Sequence, residues 1–505
     1  MKYFIPAWYS SDKWWRDFTV PQYDRRQVSD FDDMMSFMHM YETNDKAFQT
    51  LILNYQPDLR CFLHRHHLLE MDYWSVFDTI QGFSGTVPRA LSFKQLSFPR
   101  GTEFIYTSHG IQGFTDTGSY KVYYNQEGYL IWVEVYTGEV LEKRYVFDDR
   151  GFLSSVRVYK GDKLQCVKFM SAQGDVVMTE YVDDGLVEIM PDYYSRFKAQ
   201  RYSNMGEVIY EYLKKYTEDI QAHFIVAASE HHAELANIIT KERLTYSFFT
   251  RRNTVDEVNH LNLGQAARLL IDTSANYDRL KGSVTSKTLK ITPFDTSLSP
   301  TKSSEMYFNY IGIIVDNLSD AELVTLMDTM YHYLKNTRQI KVMLISRQHY
   351  FRQTVLRDKM HEINQVFIEQ EKNFEDLLQE KIDEKAMIKL IEVPFEQELL
   401  KVVHGLRIIV DLSTTPDLYL QIASISAGIP QINKVATDYV DVGNNGLLID
   451  TIQDLPGALD HFLKTLKHWN KAFTYSIELS NKYSSAQIVD RINAFIEGDA
   501  NEREI

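Results

Sequence analysis

The sequence predicts an α/β fold: two Rossmann-like domains, with an extended antiparallel β-sheet inserted in the first. Three observations predict it. From about residue 205 onward, short apolar runs alternate with helical stretches, as the strands of a parallel sheet covered on both faces do. A polar stretch containing Pro300, from Asp295 to Ser304, reads as a linker that divides this pattern into two units. Between residues 118 and 190 the pattern changes, and Tyr/Val-rich runs alternate with turn residues in the manner of β-hairpins.

The elements follow in chain order. Asp30 to Tyr55 carries apolar residues at helical spacing, first Met34, Phe37, Met38 and Tyr41, then Phe48, Leu51, Ile52 and Tyr55. Beyond Pro57, the run Arg60-Cys61-Phe62-Leu63 reads as a strand. The inserted region then holds an internal repeat. Gly128, Gly151 and Gly174 recur every 23 residues, and Tyr136, Tyr159 and Val182 follow at the same interval, as do Gly138, Gly161 and Asp184. A unit of that length holds two strands and two turns, which predicts a meander of stacked hairpins with glycine where the tight turns need positive φ.

After the repeat comes a helix at Glu207 to Tyr216, then strands at His223–Ala228, Leu244–Phe248, Arg268–Asp272 and Leu289–Thr292. The second unit opens with the strand Tyr310–Val315. Ser319-Asp320-Ala321-Glu322 is a capping box, starting a helix with Leu323, Leu326, Met327, Met330 and Leu334 on one face. Strands are expected at Lys341–Ile345, Ile388–Val393, Leu406–Asp411 and Gly446–Ile449, with a mostly helical charged stretch from Gln348 to Lys385. The expected domains are therefore residues 1–100 with 205–295, the inserted sheet at 101–204, and a second Rossmann-like domain at 305–480. The terminal helix within 481–505 is expected to return to the first domain.

Composition narrows the function. A chain of 505 residues exceeds what one core usually supports. The net charge of −15, with no basic run or stripe, argues against nucleic acid and against tight docking on anionic lipid. Cys61 and Cys166 are far apart and lack metal-ligand spacing, which suits a reducing compartment without a disulfide framework. The N-terminus is too short in apolar length for a signal peptide, and no stretch approaches the roughly 20 apolar residues of a spanning helix. A cytoplasmic chain is expected, peripheral at the membrane only through partners. The 32 tyrosines suit β-rich structure or contact surfaces for sugars and proteins, and sheet edges and domain seams account for them equally well.

The most informative stretch runs from Asp411 to Ile432. A strand ends, Ser413-Thr414-Thr415-Pro416-Asp417 opens a helix, and the helix closes on Ala427-Gly428-Ile429-Pro430 before another strand; Asn445-Gly446-Leu447-Leu448 follows. This frame resembles the donor half of retaining glycosyltransferases built from two facing Rossmann domains, the GT-B type. The resemblance implies a nucleotide diphosphate at the helix N-terminus, neutralised by an arginine and a lysine, with two glutamates eight positions apart holding ribose and sugar. Counted back from Gly428, those glutamate positions are Thr415 and Ala423, and the glycine after the first is Pro416, which removes an N–H donor. After Gly312 come Ile313, Ile314, Val315 and Asp316, with no cation until Lys335. A donor pocket at Gly312, Ile313, Asp316, Thr415, Pro416, Asp417, Ala423 and Gly428 is thus degenerate. No catalytic residue, cofactor or metal is expected.

The resemblance extends beyond fold. Tyr3-Phe4-Ile5-Pro6-Ala7-Trp8-Tyr9, the turn Asp148-Asp149-Arg150-Gly151-Phe152, Ile291-Thr292-Pro293-Phe294-Asp295 and Lys482-Tyr483-Ser484 are similar to the first of the accessory secretory (Sec) system proteins of streptococci and related Gram-positive cocci. Membership implies a cytosolic subunit working with two further accessory proteins, a dedicated Sec ATPase and a dedicated translocon. Together these export glycosylated serine-rich repeat adhesins. A non-catalytic subunit that binds partner proteins, the adhesin and its glycans is the expected function. Two alternatives stand beside it: an active transferase with a non-standard donor, and a non-catalytic activator of a transferase.

Other residues invite narrower readings. His64-Arg65-His66-His67 lacks an acidic or cysteine partner at ligand spacing, so a surface turn explains it better than a metal. His231-His232 begins a helix after a strand, where a sugar contact is one reading. Trp8, Trp14 and Trp15 suit packing, with glycan stacking or partner contact as the alternative. Ser108-His109 has no nucleophile elbow around it, and Cys61 reads as a small buried apolar residue.

Overall fold

The structure, a computed structural model, describes residues 1–10, 13–17, 19–23, 32–83, 85–254, 258–297, 310–348, 353–370 and 386–498. Most of the expected linker and much of the charged stretch after Gln348 lie outside the described residues. Two compact units are present, one built from Met1–Arg25, Asp32–Asp272 and Asn276–Leu289, the other mainly from Lys290–Ile505.

The first unit begins with β1 (Lys2–Ile5), β2 (Phe48–Ile52) and β3 (Tyr73–Ser75). Ten meander strands follow: β4 (Glu103–Thr107), β5 (Gly110–Phe114), β6 (Gly118–Tyr124), β7 (Leu130–Thr137), β8 (Val140–Phe147), β9 (Leu153–Lys160), β10 (Lys163–Met170), β11 (Val176–Tyr181), β12 (Val187–Ile189) and β13 (Arg201–Tyr202). The chain then returns as β14 (His223–Ala227), β15 (Leu244–Phe248), β16 (Arg268–Ile271) and β17 (Lys287–Lys290). The seven outer strands form one sheet in the order β17-β16-β15-β14-β1-β2-β3, with β1 parallel to both β14 and β2. The meander strands form a separate antiparallel sheet, β13 through β4 in strict sequence order.

Two sequence expectations fail here, each for a tertiary reason. Phe48 to Tyr55 is not helical. The helix Asp33–Thr43 stops at Asn44, Asp45 takes a φ of +52°, and Phe48–Ile52 pairs in register with β1. A short run buried on both sides satisfies helical spacing and strand geometry alike. Conversely, Arg60–Leu63 lies in a helix, Leu59–Arg65. Its first-turn N–H groups are capped from a distant element: Asp149 accepts from Arg60 N at 2.8 Å and from Cys61 N at 3.1 Å. The expected strand at Leu289–Thr292 forms two residues earlier, as β17.

The 23-residue repeat is the meander itself. Gly128, Gly151 and Gly174 occupy every second turn, with φ of +85°, +86° and +91°. Its inner end is stitched to the first sheet. Val167, Phe169, Val177, Met178, Val187 and Ile189 share a core with Ile5, Leu51, Phe77 and Val226. Tyr55 donates to Ser154 or Ser155 across the seam, and Gln81 donates to the carbonyls of Ser154 and Met170. An ion network completes the joint. Arg60 donates to Asp148 and Asp149, and Arg150 is held by Asp148 and by Asp78, whose carboxylate it engages at 2.7 and 2.9 Å. The farther end has its own small core of Phe93, Ile111, Val122, Leu130, Val133 and Phe147.

The second unit carries β18 (Tyr310–Ile314), β19 (Lys341–Ser346), β20 (Ile388–Glu392), β21 (Ile408–Asp411), β22 (Gln431–Asn433) and β23 (Gly446–Leu448). They are all parallel, in the order β20-β19-β18-β21-β22-β23. The expected capping box at Ser319 forms, with Ser319 N donating to Glu322 at 3.0 Å. Strand β18 alternates cleanly. Ile311 and Ile313 face a core with Leu323, Met327 and Val410, while Ile314 faces another with Leu406, Ile409, Leu420 and Trp469. The terminal helix, Ser485–Glu497, groups with this unit, and Arg491 donates to the Lys290 carbonyl.

Candidate functional site

Open parallel sheets bind ligands beyond the carboxyl ends of their strands, at the point where strand order reverses. In the second unit that point lies between β18 and β21. Asp316 follows β18, Arg347 follows β19 and Asp411 ends β21, so the strand order brings these three side chains to one place. Asp316 accepts from the Ser346 hydroxyl at 2.8 Å and from the Arg347 backbone N–H. Burial raises its carboxyl above the usual range, and the two hydrogen bonds oppose that. Asp411 is fully buried and receives N–H groups from Ser413 at 3.1 Å and Asp417 at 2.9 Å. Burial pushes it up to about 6, against those two donors.

Asp417 is the residue on which the site turns. It N-caps the helix Leu418–Ala427, and its Oδ1 accepts from Tyr419 N at 3.0 Å and Leu420 N at 3.2 Å. Its Oδ2 lies 3.1 Å from Arg347 Nε, while Arg347 Nη2 donates to Glu396 at 2.7 Å and Nη1 to the Val393 carbonyl at 2.7 Å. A carboxylate of the chain itself thus takes the helix N-terminus and the guanidinium together, the two groups that would otherwise attract an external anion.

The sequence reading, that no cation follows Gly312 until Lys335, concerns the segment after β18; the cation at this site comes from elsewhere. A guanidinium does sit at this site, donated by the residue just past β19. Its position after a strand is the only signal the sequence carried. Asp411 and Glu396 were missed in the same way.

The other expected pocket residues are placed as follows. Gly312 and Ile313 lie within β18, and a Cβ on Gly312 would meet Leu406 Cδ1 at 2.5 Å, so this glycine serves packing. Thr415 is exposed and Pro416 half-buried in the loop before the helix, where the Ser413 hydroxyl donates to the Thr415 carbonyl at 2.9 Å. Ala423 is buried in the apolar core beside Leu420, Ala427 and Trp469. Gly428 ends the helix at φ +72°, and a Cβ there would lie 2.6 Å from the Phe473 ring.

The first unit reverses strand order between β1 and β14, and the aromatic and histidine residues gather there. His232 is fully buried. Its Nδ1 lies 2.7 Å from the Ala227 carbonyl, which can only accept, so Nδ1 carries the proton and Nε2 accepts from the Tyr9 hydroxyl. Burial holds this imidazole neutral, down to about 3. His231 stacks on Trp14 at 5.6 Å, Trp14 packs on Trp15, and Trp15 Nε1 donates to Glu180 at 3.1 Å. Trp8 packs on Phe62 at 4.9 Å. All three tryptophans are buried. Ser108 and His109 form the exposed tip of the β4–β5 hairpin, and burial pushes the Cys61 thiol up to about 12.

With this geometry in view, comparisons with known proteins are specific. Residues 1–499 match the profile of the family described as the first accessory Sec system protein. The chain belongs to that family. A relative of the accessory Sec family in Staphylococcus aureus is 37% identical over 516 residues, covering 99% of each chain, and one from Streptococcus gordonii is 31% identical, covering 97% of this chain and 98% of its own. Among solved structures, a glycosylation-associated protein complex from Streptococcus agalactiae contains a chain that superposes with a TM-score of 0.84 at 31% identity, covering 97% of this chain and 99% of that one. The complex of accessory secretory proteins 1, 2 and 3 from Streptococcus pneumoniae contains one at 0.83 and 27% identity, covering 99% of each. The pneumococcal O-GlcNAc transferase, solved with UDP and GlcNAc, matches at 0.69 and 10% identity over 99% of each chain, which establishes a fold like that of GT-B glycosyltransferases. Among the described residues of this accessory Sec family member, no helix is long and apolar enough to cross a membrane.

Proposed function

We propose that this chain is a non-catalytic, glycosyltransferase-like subunit of an accessory Sec export system. In this reading it assembles with the other two accessory proteins and works with the dedicated Sec ATPase. It acts in the cytoplasm and reaches the membrane through partners. It supports secretion of a glycosylated serine-rich repeat adhesin by binding the protein and its glycans. The assembly part is supported by two similar chains, one solved in a complex of accessory secretory proteins 1, 2 and 3 and one in a glycosylation-associated protein complex.

The non-catalytic part rests on one observation: Asp417 fills the helix N-terminus from within the chain and holds Arg347 against Glu396. Asp417 and Glu396 pair with the guanidinium, Asp316 accepts from the Arg347 backbone N–H and Asp411 from that of Asp417, so a diphosphate would meet four carboxylates gathered about one cation, a field that repels it. A glutamate in place of Ala423 would be buried among Leu420, Ala427 and Trp469, where an unpaired carboxylate is costly. The packing of Trp8, Trp14 and Trp15 favours a structural role for them and leaves glycan contact to more exposed surfaces.

Titration calorimetry with UDP-sugars tests the reading. No binding is expected at millimolar donor, and micromolar binding with turnover sinks the pseudoenzyme reading. Co-expression separates it from the activator alternative, since a stable complex with the two accessory proteins is expected rather than one with a glycosyltransferase.

A further inference from the structure

The outer edge of the meander carries a feature that the export role leaves unassigned. Among the described residues β4 pairs only with β5, so alternate residues of Glu103–Thr107 turn their N–H and C=O groups away from the sheet. Such an edge is a template for another strand, and folded proteins usually blunt it with a proline, a lysine, a bulge or extreme shortness. The opposite edge obeys this: β13 has two residues, and Arg201 pairs with Glu188 at 2.8 Å. β4 has none of these devices. Its five residues, Glu-Phe-Ile-Tyr-Thr, pair with β5 without a register shift, and Ile105 and Tyr106 are 56% and 64% exposed.

A groove of about 370 Å³ runs beside this edge, lined by Phe93, Leu96, Phe98, Phe104, Tyr106 and Lys94, among others. Its floor is fixed before any partner arrives. Phe104 stands edge-on to Phe93 at 5.2 Å and to Phe98 at 5.1 Å. The charge around it runs against the rest of the molecule. Lys94 and Arg100 are exposed and Glu103 is the single carboxylate between residues 93 and 107, in a chain of net charge −15.

We propose that β4 and the aromatic groove beside it form a docking site for an extended acidic segment of a partner protein, which joins the meander as an added strand. Backbone pairing to β4 supplies affinity, and the groove takes an apolar side chain from every second residue of the incoming segment. A second copy of this chain fits poorly. An edge-to-edge dimer is isologous and would bring two copies of the same net-positive patch into one interface with no acidic complement. A heterologous acidic strand meets complementary charge instead. This inference rests on the proposed role as an assembly subunit, and it places one partner contact at the far end of the inserted sheet.

The test uses the full chain, with the second and third accessory proteins of its own system as the binding probe. Wild type is compared with Ile105→Lys, Tyr106→Pro and the double variant Lys94→Glu/Arg100→Glu, after melting curves confirm that each remains folded. Ile105 is exposed, so its lysine variant keeps the experiment decisive even where the proline variant does not fold. The edge variants are expected to weaken binding roughly tenfold or more. The charge-reversed variant is expected to lose most of the salt dependence. The outward-turned amides among residues 103–107 should exchange fast in the free chain and slowly in the complex, while those paired with β5 stay protected in both. Unchanged affinity in the edge variants overturns the docking site while leaving the assembly role standing, and so does wild-type self-association that Ile105→Lys abolishes. Failure of the wild-type chain to bind either protein overturns both.

Discussion

At the scale of single residues, Asp417 and Asp411 decide how the site at the carboxyl end of β21 behaves. Asp417 closes the helix Leu418–Ala427 and restrains Arg347, so Asp417→Ala removes a cap and an ion-pair partner together. A loss of about 1–2 kcal/mol is expected in urea titrations, with Asp417→Asn recovering the capping share but not the pairing to Arg347. Asp411 gives a pH signature. The folded chain holds its proton up to about pH 6, whereas the unfolded carboxylate titrates near 3.8. The stabilisation that Asp411 gives is therefore fully present below the unfolded value and is lost as pH rises through about 6. Between those limits wild type should lose up to about 3 kcal/mol from this group alone. Asp411→Asn should flatten that part of the profile, and parallel profiles for the two proteins would contradict it. Gly428→Ala meets both a left-handed backbone and the Phe473 ring, and a cost of about 1–3 kcal/mol is expected.

At the scale of elements, the meander is a repeat whose copies are chemically alike and structurally unequal. Gly128 and Gly151 have nearly the same φ, yet a Cβ on Gly128 meets nothing within 4 Å, while one on Gly151 would lie 2.1 Å from the Arg89 carbonyl oxygen. Gly128→Ala should cost about 1–2 kcal/mol from the left-handed backbone alone. Gly151→Ala should cost visibly more in thermal melts, and equal costs would show that the Arg89 segment yields freely. The same turn supplies Asp148, Asp149 and Arg150 to the joint with the first sheet. Arg150 is 5% exposed at its side chain and neutralises Asp78 and Asp148. Arg150→Ala leaves those carboxylates without it, and a loss of about 3–5 kcal/mol is expected. Protease cleavage within the meander should then appear at concentrations that leave wild type intact.

At the scale of the molecule, each unit owns its core. One is built around Ile5, Phe224, Val226 and Tyr246, and the other around the two faces of the sheet that holds β18. Equilibrium unfolding in urea is expected to resolve two steps rather than one. Arg150→Ala should move only the step belonging to the first unit, and Gly428→Ala only the other. A single transition displaced equally by both variants would show that the two cores melt as one.

The sequence by itself determined the layers. The alternation of apolar runs and helices set two parallel sheets, the spacing of Gly128, Gly151 and Gly174 set the antiparallel one, and Ser319 with Glu322 fixed a helix start, because each signal lies within one turn or one hairpin of its cause. Tertiary structure decided the rest. Arg60–Leu63 became helical because Asp149, 89 positions beyond Arg60, caps its first turn. Phe48–Ile52 became a strand because β1 offered a parallel edge. The same holds at the site. Thr415 and Ala423 could be counted from Gly428, and Asp411 reaches Asp417 within one loop, but Arg347 and Glu396 join them only because the strand order brings the ends of β20, β19 and β21 to one side of the sheet. Local pattern specifies local geometry, whereas a charge cluster assembled from separate crossovers has no period along the chain by which to be read.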